Sequence, residues 1–183
     1  MTFRPARFNL YLSLLIGVAL AWGCKSDGSQ KKAPKKGFSV LRLHIEANLD
    51  GTDKNGPVMI GRQTPFALNV NKLPFVEEVH LAKASLADDG LGGFELRIQF
   101  NRQGAGLLEQ YTVANKGRHI GVFAELDDFR WIAAPLITKR ISDGVFSFTP
   151  DATREEAEKL VLGLNQVVKK LRNRTTLDEP ETK

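Results

Sequence analysis

The chain has 183 residues, with 42% hydrophobic and 26% charged side chains, which suffices for one domain of ordinary size and excludes wholesale disorder. Its formal charge of +5 is unevenly placed: residues 1–23 carry +2, residues 24–37 carry +4, and residues 38–183 are left with −1. Basicity therefore belongs to the leading segment and not to the fold, so net charge argues for no basic binding face and nucleic acid is not expected as a partner.

Met1–Gly23 has the three parts of an export signal. Arg4 and Arg7 make a positive start, Leu10–Ala21 is an uncharged apolar run of 12 residues, and the small residues Ala21 and Gly23 precede Cys24. A membrane-spanning helix needs about 20 apolar residues, so the run fits a cleaved signal better than a span. The ending Leu20-Ala21-Trp22-Gly23-Cys24 resembles the lipobox of bacterial lipoproteins, with Gly before Cys as in that family. Ala21 stands where the family has Leu, and Trp22 is bulky for its place, so ordinary cleavage near Gly23 or an uncleaved anchor stay open. Cys24 is the only cysteine, and no intrachain disulfide can compete for it. The resemblance implies a diacylglyceryl thioether on Cys24, a bilayer as the first partner, and a domain facing the periplasm. Lys25, where an Asp would favour inner-membrane retention, favours the outer membrane.

Residues 24–37 contain five lysines with Ser, Gly and Pro and no large apolar side chain, the composition of a solvated basic linker. From residue 38 the pattern changes. Phe38–Ala47 alternates as a strand with Leu41, Leu43 and Ile45 on one face. Asp50–Gly56 reads as a loop; it lacks the alternating oxygen ligands of a calcium site. Val58–Gly61 is a short strand. Glu78–Leu86 and Gly93–Phe100 form a hairpin around Asp88-Asp89-Gly90-Leu91-Gly92, with Phe94, Leu96, Ile98 and Phe100 facing inward. Asn101–Lys116 is a helix capped by Asn101 and stopped by Gly117. Arg118–Leu126 and Phe129–Ile137 form a second hairpin, and Val145–Thr149 is a last strand. Thr153-Arg154-Glu155-Glu156 has the form of a capping box, and the helix it opens repeats Ala157, Leu160, Val161, Leu164, Val167, Val168 and Leu171 on one face. From Asn173 the chain turns polar.

This order predicts an α+β fold: an antiparallel β-sheet with two α-helices packed on one face. The expected layout is a signal peptide at 1–23, a linker at 24–37, the domain at 38–173 and a disordered tail at 174–183.

A spaced set of residues runs through the second half of the domain. It comprises Phe100, Gly104-Ala105, Thr112, Ala114-Asn115, Gly117-Arg118, Ile120, Val122, Ala134-Pro135-Leu136-Ile137, Ile141, Gly144, Phe148 and Thr153-x-Glu155-Glu156-Ala157. It resembles the head part of the first periplasmic domain of the SecD/SecDF protein-export subunits. The resemblance implies that fold, and a surface that meets unfolded polypeptide or an envelope protein partner. Those subunits work through several membrane-spanning helices with proton-relaying acids, and after residue 23 this chain has no apolar run long enough to span.

Three functions compete. A tethered binding module could accept an extended segment at a sheet edge by strand addition, although Pro65, Pro74 and Pro135 can blunt edges. A structural envelope component is the alternative, with Phe123, Phe129 and Trp131 forming either core or a contact patch. An enzyme is the second alternative and is not expected. Its candidates are His44, His80 and His119, all on predicted strands, with His119 beside Arg118 read as a solvated strand histidine. Asp88-Asp89 and Asp127-Asp128 read as turn residues. No cofactor or metal site is expected, and no partner-binding residue can be named from the sequence.

Overall fold

Apolar alternation at periods of 2 and 3.6 draws eight strands and two long helices from residues 39–90 and 92–177, which the structure, a computed structural model, describes. They belong to one compact unit, Lys36–Lys183. The predicted signal peptide, Cys24, the linker and residues 178–183 lie outside the described residues.

The order is β1 (Leu41–Ile45), β2 (Asn55–Ile60), β3 (Phe66–Asn71), a 3₁₀ turn at Glu78–His80, β4 (Leu81–Asp88), β5 (Phe94–Phe100), α1 (Arg102–Ala114), β6 (Ile120–Glu125), β7 (Phe129–Ala133), β8 (Val145–Phe148) and α2 (Arg154–Leu177). The α+β class holds. One antiparallel sheet does not: the strands divide into a five-stranded sheet, β1-β6-β7-β2-β3, and a three-stranded sheet, β4-β5-β8. Within the larger sheet β2 meets β7 in parallel at Ile60 and Trp131. The hairpin β2–β3 joins that sheet beside β7, a pairing between strands far apart in the chain that no local pattern specifies.

Four local readings also change. β3 was not anticipated, although Leu68 and Val70 alternate inward as a half-buried strand requires. β2 starts at Asn55, so Asn55-Gly56 is paired strand and not the end of the loop. Glu78–His80 leaves the strand reading because the Glu77 N–H donates to His80 Nδ1 and the His80 N–H donates to the Glu77 carbonyl, local bonds that compete with a sheet ladder. Helix α2 continues to Leu177, past the point where the sequence turns polar.

The main core lies where both sheets and both helices meet. Leu41, Leu43, Ile120, Val122 and Ala124 come from the larger sheet, Leu96, Ile98, Phe146 and Phe148 from the smaller, Leu108 from α1, and Leu160 and Leu164 from α2. Burying each such Leu, Ile, Val or Phe contributes about 1.5–3 kcal/mol, which explains why the apolar stripe of α2 must lie on the sheet. A smaller core of Ile60, Leu68 and Val70 forms beneath Trp131. Asn101 caps α1 by accepting from Gly104 N–H at 2.9 Å, and Gly117, at φ +83°, turns the chain out of the helix region.

Candidate functional site

The three histidines do not converge on a reaction centre. His44 is buried in β1, hydrogen-bonds the Asn71 carbonyl through Nδ1 at 2.8 Å and stands edge-on to Trp131. Burial lowers its pKa below the ordinary imidazole value. His80 sits in the 3₁₀ turn as a local cap and not on a strand. His119 precedes β6 and is paired instead of simply solvated: Glu46 Oε2 accepts both its backbone N–H and its Nδ1 at 2.7 Å. For Glu46, burial alone would raise the pKa, but the hydrogen bonds from His119 hold it below the usual carboxylate range. Asp88 pairs with Arg154, Asp89 Oδ1 accepts from Gly93 N–H at 2.8 Å, and the Asp128 carbonyl accepts from Leu126 N–H at 3.0 Å. These acids close turns and pin elements. Among the described residues, no three His, Cys, Asp or Glu side chains are grouped to hold a metal, and no helix is long and apolar enough to cross a membrane. Of the aromatic trio, Phe123 and Trp131 are half-buried at 5.3 Å and Phe129 is exposed.

Sequence reasoning missed an ionic cluster at the start of α2. Glu156 completes the predicted capping box, its Oε2 accepting from Thr153 N–H at 2.8 Å while its own N–H donates to Thr153 Oγ1 at 3.2 Å. The same carboxylate also takes a hydrogen bond from Arg62 and pairs with Arg130 at 3.4 Å. Arg130 and Glu156 are each only 13% exposed at the side chain, and Arg130 Nε and Nη1 are buried without a hydrogen bond. Burial would raise the Glu156 pKa, yet the hydrogen bonds from Arg62 and Thr153 lower it. The cap was legible because it is local; Arg62, 94 positions away, was not.

The sheet edges differ in how they are covered. In the larger sheet β1 and β3 would be the free edges, but Glu46 bridges Val70 and Ala47 N–H donates to the Asn69 carbonyl at 2.9 Å. Val76 takes up Leu43 on the same side. In the smaller sheet, β4 is covered by α2. Asn165 acts there as a strand surrogate, its Oδ1 accepting from Ala84 N–H at 2.9 Å and its Nδ2 donating to the Ala84 carbonyl at 2.8 Å. The remaining edge, β8, has no such cover among the described residues. Proteins usually block edges because unpaired backbone groups template further pairing.

Beside β8 lies a groove with a cavity of ≈160 Å³, about the size that accepts a benzene-sized apolar group. Ile120, Ile137, Ile141 and Phe146 supply apolar lining, Thr138, Lys139 and Ser147 supply polar lining, and Leu136, bridged to His119, lines it with Ser147 of β8. The far wall, residues 135–141, is fixed from beneath. Gly117 N–H donates to the Ile137 carbonyl at 2.9 Å, Ile141 N–H donates to Thr112 Oγ1 at 3.1 Å, and Arg140 pairs with Glu109 on α1. Gly144 turns into β8 at φ +68°, with the methyl of Ala105 so close that a Cβ there would approach it at 2.8 Å. Thus Ala105, Thr112, Gly117, Pro135-Leu136-Ile137, Ile141 and Gly144, quoted above as a spaced pattern, build or brace this groove.

Comparison with known proteins follows the same residues. The family model for the SecDF P1 head subdomain matches residues 57–166, a span that contains β8 and the far wall. Protein translocase subunit SecD of Rhodothermus marinus is 30% identical over 123 residues, covering 67% of this chain and 18% of that protein. A solved structure of a membrane component SecDF that enhances protein export aligns with a TM-score of 0.52 at 20% identity, covering 69% of this chain and 62% of its own. SecDF in a super-membrane-facing form aligns at 0.51 and 20%, covering 69% of this chain and 18% of its own. At that identity the structures establish the shared fold, and this chain spans about a fifth of the length of the SecD relative.

Proposed function

The chain belongs to the SecDF P1 head subdomain family, and from that premise we propose that it is an envelope lipoprotein whose head-like domain binds a polypeptide or protein partner as an accessory to protein export. The observation that carries the binding role is the uncovered β8 edge beside an apolar groove in a domain whose other sheet edges are covered. A non-catalytic role agrees with the separate structural partners of His44, His80 and His119. Anchorage rests on Cys24 and the signal before it: each buried methylene of an acyl chain contributes about 0.8 kcal/mol, so two or three chains hold a protein at a membrane stably.

The test is site-specific photocrosslinking in the full-length protein in its own cells. One probe replaces Leu136, 50% exposed at the groove, and a control replaces Leu162, 64% exposed on α2. Newly exported chains or translocon subunits captured from position 136 and not from 162 are expected. Equal capture from both positions, or none from 136, refutes the groove as the binding surface.

A further inference from the structure

The backbone on both sides of the groove is oriented for a guest strand. In an antiparallel ladder, residues alternate between directing their N–H and C=O groups at the partner and directing them away. Phe100 N–H donates to the Gly144 carbonyl at 2.9 Å, and the register continues with Ile98 opposite Phe146 and Leu96 opposite Phe148. Gly144, Phe146 and Phe148 therefore face β5, and Val145 and Ser147 turn their backbone groups outward. The opposite edge of the sheet agrees with this phase: Ala84, paired with Ile98, points its groups away from β5 and into Asn165. The Val145 N–H is taken by Asp143 Oδ1 at 3.1 Å. Among the described residues no hydrogen bond takes up the outward N–H or C=O of Ser147.

The far wall repeats the arrangement. His119 and Leu136 are bridged through Ile120 N–H to the Pro135 carbonyl at 3.0 Å and Ile137 N–H to the Arg118 carbonyl at 2.8 Å. In a pair held this way the opposed residues use neither of their own groups, so those of Leu136 face away from His119. Leu136 and Ser147 both line the groove. Three of the four sheet edges are closed by a β-bridge or a side-chain amide, and the fourth opens on an apolar floor between two backbone walls.

Resting on the polypeptide-binding reading above, we infer that the groove takes an extended segment of another polypeptide as an added strand on β8, its backbone hydrogen-bonded to Ser147 and its inward side chains seated on Ile120, Ile137, Ile141 and Phe146. Side chains on an added strand alternate between floor and solvent, so the preferred guest is a segment with apolar residues at every second position, each small enough for ≈160 Å³. A second copy of the chain is the poorer occupant. β8 has four residues, too short an edge to supply by itself the roughly 1,000 Å² that a stable interface needs.

The test uses the full chain and a ten-residue fluorescent peptide of alternating Val and Thr, with two versions N-methylated at odd or at even positions. Strand addition aligns only every second N–H with β8, so at least one methylated peptide binds more than tenfold more weakly than the parent. Ser147→Pro deletes the outward N–H on an edge strand, where Pro is tolerated; it is expected to keep the wild-type melting curve and lose at least tenfold in binding, while Ser147→Ala binds as wild type. If both methylated peptides bind like the parent, the strand mode is overturned and polypeptide binding stands. If the parent peptide and denatured export substrates alike fail to bind, the polypeptide-binding reading falls, and the strand mode with it. A dimer crosslinked β8 to β8 that excludes the peptide assigns the edge to self-association and overturns the inference.

Discussion

Asn165 offers the sharpest check on how this domain manages its edges. Its side-chain amide satisfies both the N–H and the C=O of buried Ala84, at 2.9 and 2.8 Å. Asn165→Ala removes two hydrogen bonds worth about 1 kcal/mol each and leaves two backbone groups facing a methyl, each costing about 1–3 kcal/mol when water cannot reach it. Asn165 is half-buried, so water repays part of that cost, and the expected loss is about 2–3 kcal/mol. For a domain of this size that lowers Tm by about 6–12 °C. Urea unfolding of the full chain measures the loss, and amide exchange at Ala84 is expected to accelerate in step. Asn165→Asp keeps an acceptor for the Ala84 N–H but sets a carboxylate against the Ala84 carbonyl. Its folded-state pKa is therefore raised, so the protonated, donating form is the stabilising one. This variant is expected to be less stable than Asn165→Ala at neutral pH and to recover as the pH falls through the folded-state value. A loss under about 0.5 kcal/mol in Asn165→Ala with unchanged Ala84 exchange refutes the strand-surrogate account.

Glu156→Gln leaves the Arg130 guanidinium only its 3.7 Å pairing with exposed Asp128 and is expected to cost about 2–4 kcal/mol by chemical denaturation, near the range for breaking a buried pair. Because the Glu156 pKa is lowered in the fold, its contribution is present above about pH 4.5 and fades as the pH drops through the folded-state value. The acid limb of the wild-type stability curve is therefore expected to flatten in Glu156→Gln, and an unchanged limb contradicts the pairing. Gly104→Ala places a Cβ 2.7 Å from the Cβ of His80, and forcing α1 off the 3₁₀ turn is expected to cost about 1–3 kcal/mol in thermal unfolding. A wild-type melt disproves the close contact. Cys24→Ser is expected to move the protein from the membrane to the soluble fraction and to abolish incorporation of labelled fatty acid; retention of either speaks against lipidation.

How much of this was legible in the sequence depended on the range of the interactions involved. Asn101 as a cap, the Thr153–Glu156 capping box, the β4–β5 and β6–β7 hairpins and the apolar faces of β1, β5 and α2 follow from side-chain periodicity and from hydrogen bonds spanning three or four residues, and a linear chain displays both. The spaced pattern from Phe100 to Ala157 likewise marked the family. It did not mark the groove, because Thr112, Gly117, Ile137, Ile141 and Gly144 acquire their common purpose only when α1, the 135–141 segment and β8 are brought together. The strand β3, with Leu68 and Val70 alternating, was within reach of the same periodicity. Its place beside β2, and the parallel contact of β2 with β7, were not, since strand pairing is settled by burial among residues distant in sequence. What only the tertiary structure decided is which edges remain open. β4 and β8 are both ordinary strands by composition, and one is sealed because helix α2 carries an amide to Ala84, whereas the other has no neighbour on its outer side among the described residues. Edge status is a property of what a strand lacks on one side, and a missing neighbour leaves no trace in the strand's own residues.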